Sequence, residues 1–279
     1  MSKVVFITGC SSGIGRDLAG RLAGAGYRVV ATARNVESLA SLQVSLKLSL
    51  DVTSPESIRQ AVATTIEHFG RIDVLVNNAG YAVRGAVEEV PVSQARQMFE
   101  ANLFGVMNMV QAVLPHMRAQ KSGRIINISS VVGKLVTPAN GVYSASKFAL
   151  EGLSDALRME LAPFGIQVVV VEPGSIHTQF HATVEANAQT IFSNPASPYR
   201  SLYERYEQVT RDMRKSEPEP AAVSQVVEQV IAASKVKARY VAGFPFPGSL
   251  VLFLRDQLWE PVVKQMFNLH APMTMKDSK

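Results

Sequence analysis

Tyr143 and Lys147 stand four residues apart in Y-S-A-S-K, with Ser130 thirteen residues upstream. On a helix, positions i and i+4 share a face, so a phenol and an ammonium would be neighbours. A free tyrosine titrates near about 10. A positive charge beside it favours the phenolate and draws that value down. Such a phenol can give a proton to a forming alkoxide, or take one from an alcohol, near neutral pH. Ser130 would hydrogen-bond the oxygen being transformed, with Ser129 its rival.

A second group of residues opens the chain. T-G-C-S-S-G-I-G, Thr8 to Gly15, follows the apolar run V-V-F-I and precedes an amphipathic stretch reaching about Ala25. Gly9, Gly13 and Gly15 would let the backbone approach phosphate oxygens, with Ser11, Ser12 and Ile14 completing the turn. The helix that follows aims its free N–H groups at the anion. The spacing is G-x-x-x-G-x-G rather than G-x-G-x-x-G, and a glycine turn without a ligand is the alternative.

The end of the second strand reads cofactor type, because a carboxylate there accepts hydrogen bonds from the ribose 2′-OH of NAD. Here the residues are Ala33 and Arg34. A guanidinium pairs with a 2′-phosphate, so NADP(H) is expected in preference to NAD(H). An exposed arginine without a ligand is the alternative. Arg16 would add positive charge. Asp51 and Val52 follow the third strand, where the aspartate would accept from an adenine amino group or cap the helix start at Ser54–Pro55. N-N-A-G ends the fourth strand at the carboxyl edge, and Asn78, Ala79 and Gly80 would let a ribose or nicotinamide lie close.

These motifs together resemble the short-chain dehydrogenase/reductase family. The likeness is to its single-domain type, with the pattern of 17β-hydroxysteroid dehydrogenase type 1-like enzymes and carbonyl reductases. T-G-C-S-S-G-I-G, N-N-A-G, Asn102, Ser130, Y-S-A-S-K and P-G-S-I-H-T carry it in order, over about residues 4 to 178 and weakly beyond. The resemblance implies that Lys147 holds the nicotinamide ribose and that Asn102 anchors a water in a proton relay. It implies that Pro173 and Gly174 form the turn after the sixth strand, with Ile176 and Thr178 contacting the nicotinamide carboxamide. It also implies a homodimer or homotetramer, through helices beginning near Met98 and Tyr143.

These groups need a frame that brings residues 8–15, 77–80, 130 and 143–178 to one edge. Strand-like and helix-like segments alternate along the chain. V-V-F-I, R-V-V-A-T-A, L-K-L-S-L, I-D-V-L-V, R-I-I-N-I and I-Q-V-V-V-V are near-continuous apolar runs, as strands covered on both faces require. A helix is predicted from Pro55 to about Phe69, and one long helix or two pieces from about Val92 to Met117. Others are predicted at about Tyr143–Pro163 and Ala221–Ser234, before a short strand R-Y-V-A. The fold class expected is α/β, a single Rossmann-type doubly wound parallel sheet of about seven strands with helices on both faces. Residues 1–279 read as one domain, with a substrate-lid insertion at about 175–220 and a C-terminal extension at about 243–279.

Composition narrows the function. The chain has 279 residues, 47% hydrophobic and 18% charged, which excludes disorder. A single cysteine, Cys10, permits no internal disulfide, and with no secretory leader a cytoplasmic location is expected. Scattered basic residues at net charge +5 argue against nucleic acid. No uninterrupted apolar run reaches the length of a membrane span, though peripheral contact stays open. No His/Cys/Asp cluster has zinc spacing, so no metal is expected. Phe180, Phe192, Tyr199, Tyr203 and Tyr206 would form an apolar lid or pack the segment down, and Val83, Leu135 and Val136 would line the pocket. The stripe Leu250, Val251, Phe253, Leu254, Leu258, Trp259 and Phe267 reads as core, dimer contact or membrane-facing patch. His177 reads as a site residue or a solvated loop histidine. The expected substrate is a hydrophobic ketone or aldehyde and its alcohol, of steroid, retinoid or aryl ketone type. The alternative function is a non-catalytic NADP-binding regulator or scaffold.

Overall fold

The computed structural model describes residues 2–244 and 259–268. Seven strands form one parallel sheet: β1 (Val4–Ile7), β2 (Arg28–Ala33), β3 (Leu46–Ser49), β4 (Val74–Asn77), β5 (Gly123–Ile128), β6 (Ile166–Pro173) and β7 (Arg239–Ala242). Their order is β3-β2-β1-β4-β5-β6-β7. The chain therefore winds outward from β1 to one edge, returns to β4 beside β1, and winds to the other. Its direction reverses between β1 and β4, and a crevice opens there at the carboxyl ends of the strands.

The continuous apolar runs are explained by what covers each face. On β1, Val5 and Ile7 pack with Leu18 and Leu22 of α1 (Gly13–Gly24) and with Val227 and Ile231 of α8 (Ala221–Ala232). Val4 and Phe6 point the other way. They meet Ile58 of α2 (Pro55–Phe69), Met109 and Val113 of α4 (Gly105–Gln120), and Leu150 of α5 (Gly141–Leu161). Successive strand side chains alternate between faces, so a strand buried on both sides must be apolar at every position.

Helix boundaries follow local chemistry. Pro55 starts α2, the Ser54 hydroxyl accepts from the Ser57 N–H, and Gly70 closes the helix at φ 71°. The region expected as one long helix or two is α3 (Val92–Phe99), a π-helical turn at Glu100–Phe104, and α4. The segment 175–220, expected as an insertion, contains α6 (Phe180–Phe192) and α7 (Arg200–Arg214). Their apolar faces belong to a third cluster that includes Met98, Val184, Ile191, Tyr203 and Tyr206. The Phe192 and Tyr203 rings stack with centroids 4.3 Å apart.

The last helix among the described residues, α9 (Glu260–Met266), is followed by Phe267, which is buried against Tyr206. Phe267 is thus core. Leu250, Val251, Phe253, Leu254 and Leu258 of the same stripe lie outside the described residues. No helix among the described residues is long and apolar enough to cross a membrane. Those residues also contain no cluster of three His, Cys, Asp or Glu fit to hold a metal ion.

Candidate active site

The crevice at the reversal point is a cavity of about 1610 Å³. That exceeds the volume an ordinary drug-sized ligand needs and is suited to a dinucleotide with a second molecule. One end is built by the turn after β1. Gly9 has φ 74°, and a Cβ there would lie 2.9 Å from the Ala79 Cα. At Gly15 a Cβ would stand 2.2 Å from the Gly9 carbonyl oxygen and 2.4 Å from Asn78 Nδ2. The turn and the N-N-A-G segment are therefore packed backbone to backbone. The Thr8 hydroxyl accepts from the N–H groups of Asn78 and Ala79, and Asn78 Nδ2 donates to the carbonyls of Thr8 and Gly9.

Helix α1 begins at Gly13 with Ser12 as its N-cap. The Ser12 side chain makes no cap bond, and the first turn holds no acidic residue. Unsatisfied N–H groups and a positive helix end thus face the cavity with no anion of the chain's own, which fits a pyrophosphate. Ser11, Ser12, Gly13, Ile14, Arg34, Asp51, Val52, Asn78, Ala79 and Gly80 all border the cavity. Gly15 lies behind the wall as the contact that lets it form. Arg34 is exposed at the end of β2. Arg16 faces away from the cavity and donates to the carbonyls of Ser11 and Ser38. Asp51 Oδ1 accepts from the Thr53 N–H and hydroxyl, while Ser54 does the capping.

Ser130, Tyr143, Lys147, Pro173, Gly174, Ile176 and Thr178 meet along the same cavity. Helix α5 carries Tyr143 and Lys147 on its buried face. Lys147 Nζ sits 5.8 Å from the Tyr143 ring centroid and donates to the Ile128 carbonyl at the end of β5. The Ser130 hydroxyl donates to the Pro173 carbonyl at 3.3 Å and stands on the same cavity wall as the phenol. Burial pushes Tyr143 up to about 12, opposed by the Arg84 guanidinium and by the nearby Ser130 hydroxyl. This reverses the downward shift expected from the sequence: loss of water around the phenolate outweighs the nearby charges. Burial also lowers Lys147 to about 8, against the upward pull of Glu151.

Asn102 stands in the π-helical turn and is absent from the cavity wall. Its Oδ1 accepts from the Tyr81 N–H, and its Nδ2 donates to the Tyr81 carbonyl and to Ser146 Oγ. The amide is a clamp between the segment after β4 and α5. A Cβ at Gly80 would lie 2.8 Å from that Oδ1.

Several expectations for the wall change. Phe180 and Tyr206 line it, whereas Phe192, Tyr199 and Tyr203 pack α6 and α7 together. Leu135 lines it; Val83 is buried in the third cluster, and Val136 is exposed. His177 projects to solvent beside Glu219, at 3.1 Å. Cys10 is buried and pushed up to about 12, so the helix end does not make it a thiolate. Sequence reading missed His181, Glu217, Arg84 and Asn140, all on the wall. His181 Nε2 lies 3.1 Å from both the Ile176 carbonyl and Glu217 Oε2. No motif marks these residues; only the approach of separate segments brings them together.

The comparisons agree with this geometry. Residues 3–189 match the family profile described as short chain dehydrogenase. A 3-ketodihydrosphingosine reductase of Bacteroides thetaiotaomicron is 36% identical over 260 residues, 93% of each chain. The estradiol 17-beta-dehydrogenase 1 of Rattus norvegicus is 35% identical, covering 86% of this chain and 73% of that one. A metagenomic short-chain oxidoreductase solved in complex with NADP superposes with a TM-score of 0.68 at 26% identity, covering 86% of this chain and 97% of that one. The chain belongs to the short-chain dehydrogenase/reductase family. It is an oxidoreductase of the Rossmann type, built for a nicotinamide cofactor and a small-molecule substrate.

Proposed function

We propose that the protein interconverts a hydrophobic ketone or aldehyde and its alcohol, with NADP(H) as cofactor and Tyr143 as general acid and base. The observation that carries this reading is the meeting of Tyr143, Ser130 and Lys147 on a cavity whose other end is an uncapped, anion-free helix terminus. The nicotinamide supplies the hydride when bound. Ser130 holds the substrate oxygen. Tyr143 gives it a proton in reduction and takes one in oxidation. Lys147 binds the ribose hydroxyls and supports the phenolate. Pro173, Gly174, Ile176 and Thr178 orient the carboxamide, and Asn102 holds the Tyr81 backbone in place.

Arg34, exposed at the end of β2 with no acidic neighbour in A-T-A-R-N, supports a 2′-phosphate. Phe180, Leu135 and Phe267 on the wall support an apolar substrate body. The relatives' names, a ketodihydrosphingosine reductase and an estradiol dehydrogenase, also point to lipidic carbonyl compounds. Helices α6 and α7 serve as the lid of a single catalytic domain. Self-association runs through the π-helical turn with α4 and through α5, where Phe104 of the turn and Met159 of α5 are exposed.

The test is oxidation of NADPH by purified protein with a panel of aliphatic, aryl and steroid ketones. Tyr143→Phe should lower kcat by about 10²- to 10⁴-fold with NADPH still bound. Unchanged turnover would overturn the assignment. Arg34→Asp should move preference toward NADH; equal use of both cofactors by the wild type would remove the reading of Arg34.

A further inference from the structure

Arg84, on the segment between β4 and α3, stands on the cavity wall and is partly buried. Its Nε donates to Asn140 Oδ1 at 3.1 Å. The buried Asn140 is itself held: its Nδ2 donates to Thr137 Oγ1 at 2.8 Å and to the Tyr206 hydroxyl at 3.3 Å. The guanidinium carbon lies 5.3 Å from the centroid of the Tyr206 ring, a cation–π contact. The Nε bond and the ring together fix the plane of the guanidinium, and among the described residues nothing bonds its Nη edge.

No carboxylate among the described residues pairs with Arg84. Glu217, a carboxylate on the same cavity wall, is engaged with His181 and Ser175. A partly buried cation is costly without an anionic partner. Here the fork is oriented in advance, in the form that grips planar oxygen anions. Its field reaches Tyr143 and Tyr206, which it pulls down, and His181, which it also lowers. It therefore acts in the half of the cavity where the carbonyl would be reduced.

We propose that Arg84, steadied by Asn140 and Tyr206, is a subsite for an anionic oxygen group, carboxylate or phosphate, at the far end of an otherwise apolar carbonyl substrate. The inference rests on the oxidoreductase reading and narrows its substrate class to amphipathic oxo compounds. A substrate bearing an ammonium at that end is repelled.

The experiment compares, with NADPH, a length series of oxoalkanoates with their methyl esters and with oxoalkyl phosphates of matched length. The acid or the phosphate should exceed the ester in kcat/KM by about 10- to 100-fold at one best chain length, as a charge-assisted bidentate contact allows. The better of the two identifies the anion. Arg84→Met should bring that ratio close to one. Asn140→Ala, which frees the guanidinium but keeps its charge, should lower the ratio severalfold through KM. Equal rates for acid, phosphate and ester in the wild type would overturn the subsite and leave the oxidoreductase reading standing. Failure of every ketone and oxo compound to react would remove the oxidoreductase reading. Calorimetric titration with dodecanoate then judges the subsite separately: equal affinity for wild type and a folded Arg84→Met overturns it, and at least tenfold weaker binding by the variant upholds it.

Discussion

At the scale of single residues, Tyr143 and Lys147 are shifted by burial before anything else. The phenol is pushed up to about 12 and the ammonium down to about 8. A phenol with that affinity stays protonated at neutral pH, which suits proton donation in reduction. Oxidation needs the phenolate, which a bound positively charged nicotinamide would favour. The ammonium sets the upper limit of the pH range. It is fully charged below about pH 8 and lost as pH rises through that value. We therefore expect kcat/KM for ketone reduction to be flat to about pH 8 and then to fall about tenfold per pH unit. Glu151→Gln removes the group that pulls Lys147 upward and should move the inflection to lower pH. A profile of initial rates against pH, wild type beside variant, checks both, and an inflection that stays in place removes Glu151 from the account. The tuning partners Arg84 and Glu151 belong to no motif, so the sequence reveals the reacting groups but not the direction of their shifts.

At the scale of elements, the turn into α1 and the N-N-A-G segment act as one piece. Gly15 allows this, because any Cβ would collide with the Gly9 carbonyl and the Asn78 amide, both hydrogen-bonded to each other. Gly15→Ala should lower unfolding free energy by about 1–3 kcal/mol. It should also weaken NADPH binding, since relief of the clash opens the turn that presents the free N–H groups. Denaturant unfolding and fluorescence titration with NADPH measure the two effects; an alanine variant of native stability would contradict the packing. Gly9, Gly15 and the Ser54–Pro55 start were readable because turn and cap chemistry is local. Helices α6 and α7 were not. In α7 the buried Leu202, Tyr203 and Tyr206 stand among charged residues, and the helix holds because those rings find Phe192 and Phe267. That partnership is tertiary. The π-helical turn carrying Asn102 also lacks a sequence signal, since it reads as ordinary helix.

At the scale of the molecule, one polar network, buried at Glu151 and Glu172 and partly exposed at Asp155, joins α5, β6 and β7. Arg239 Nε lies 2.9 Å from Glu151 and 3.5 Å from Glu172, and its Nη2 lies 2.6 Å from Asp155. Lys134 approaches Glu151 at 3.4 Å. Burial, and then the like charge of Glu151, raise Glu172 from 4.5 to about 7. Between those values the folded chain holds a proton that the unfolded chain releases, so stability falls as pH rises across the window. Glu172→Gln should abolish that decline, a difference on the order of 1–3 kcal/mol between pH 5 and pH 7.5. Urea unfolding at the two pH values tests it; identical slopes for wild type and variant would show that Glu172 is ionised in the folded protein throughout.

The alternation of apolar runs with amphipathic stretches determined, without coordinates, a parallel sheet covered on both faces. The order of glycines, Ser130, Tyr143 and Lys147 determined which groups would meet at its edge. Both are local or periodic properties, and periodicity survives in a linear string. The tertiary structure alone decided how strongly burial shifts the phenol and ammonium, which aromatic rings face the cavity, and that Arg84 and His181 stand beside them. Those outcomes depend on distances between segments far apart in the chain, and water exclusion and Coulomb forces act through space rather than along sequence.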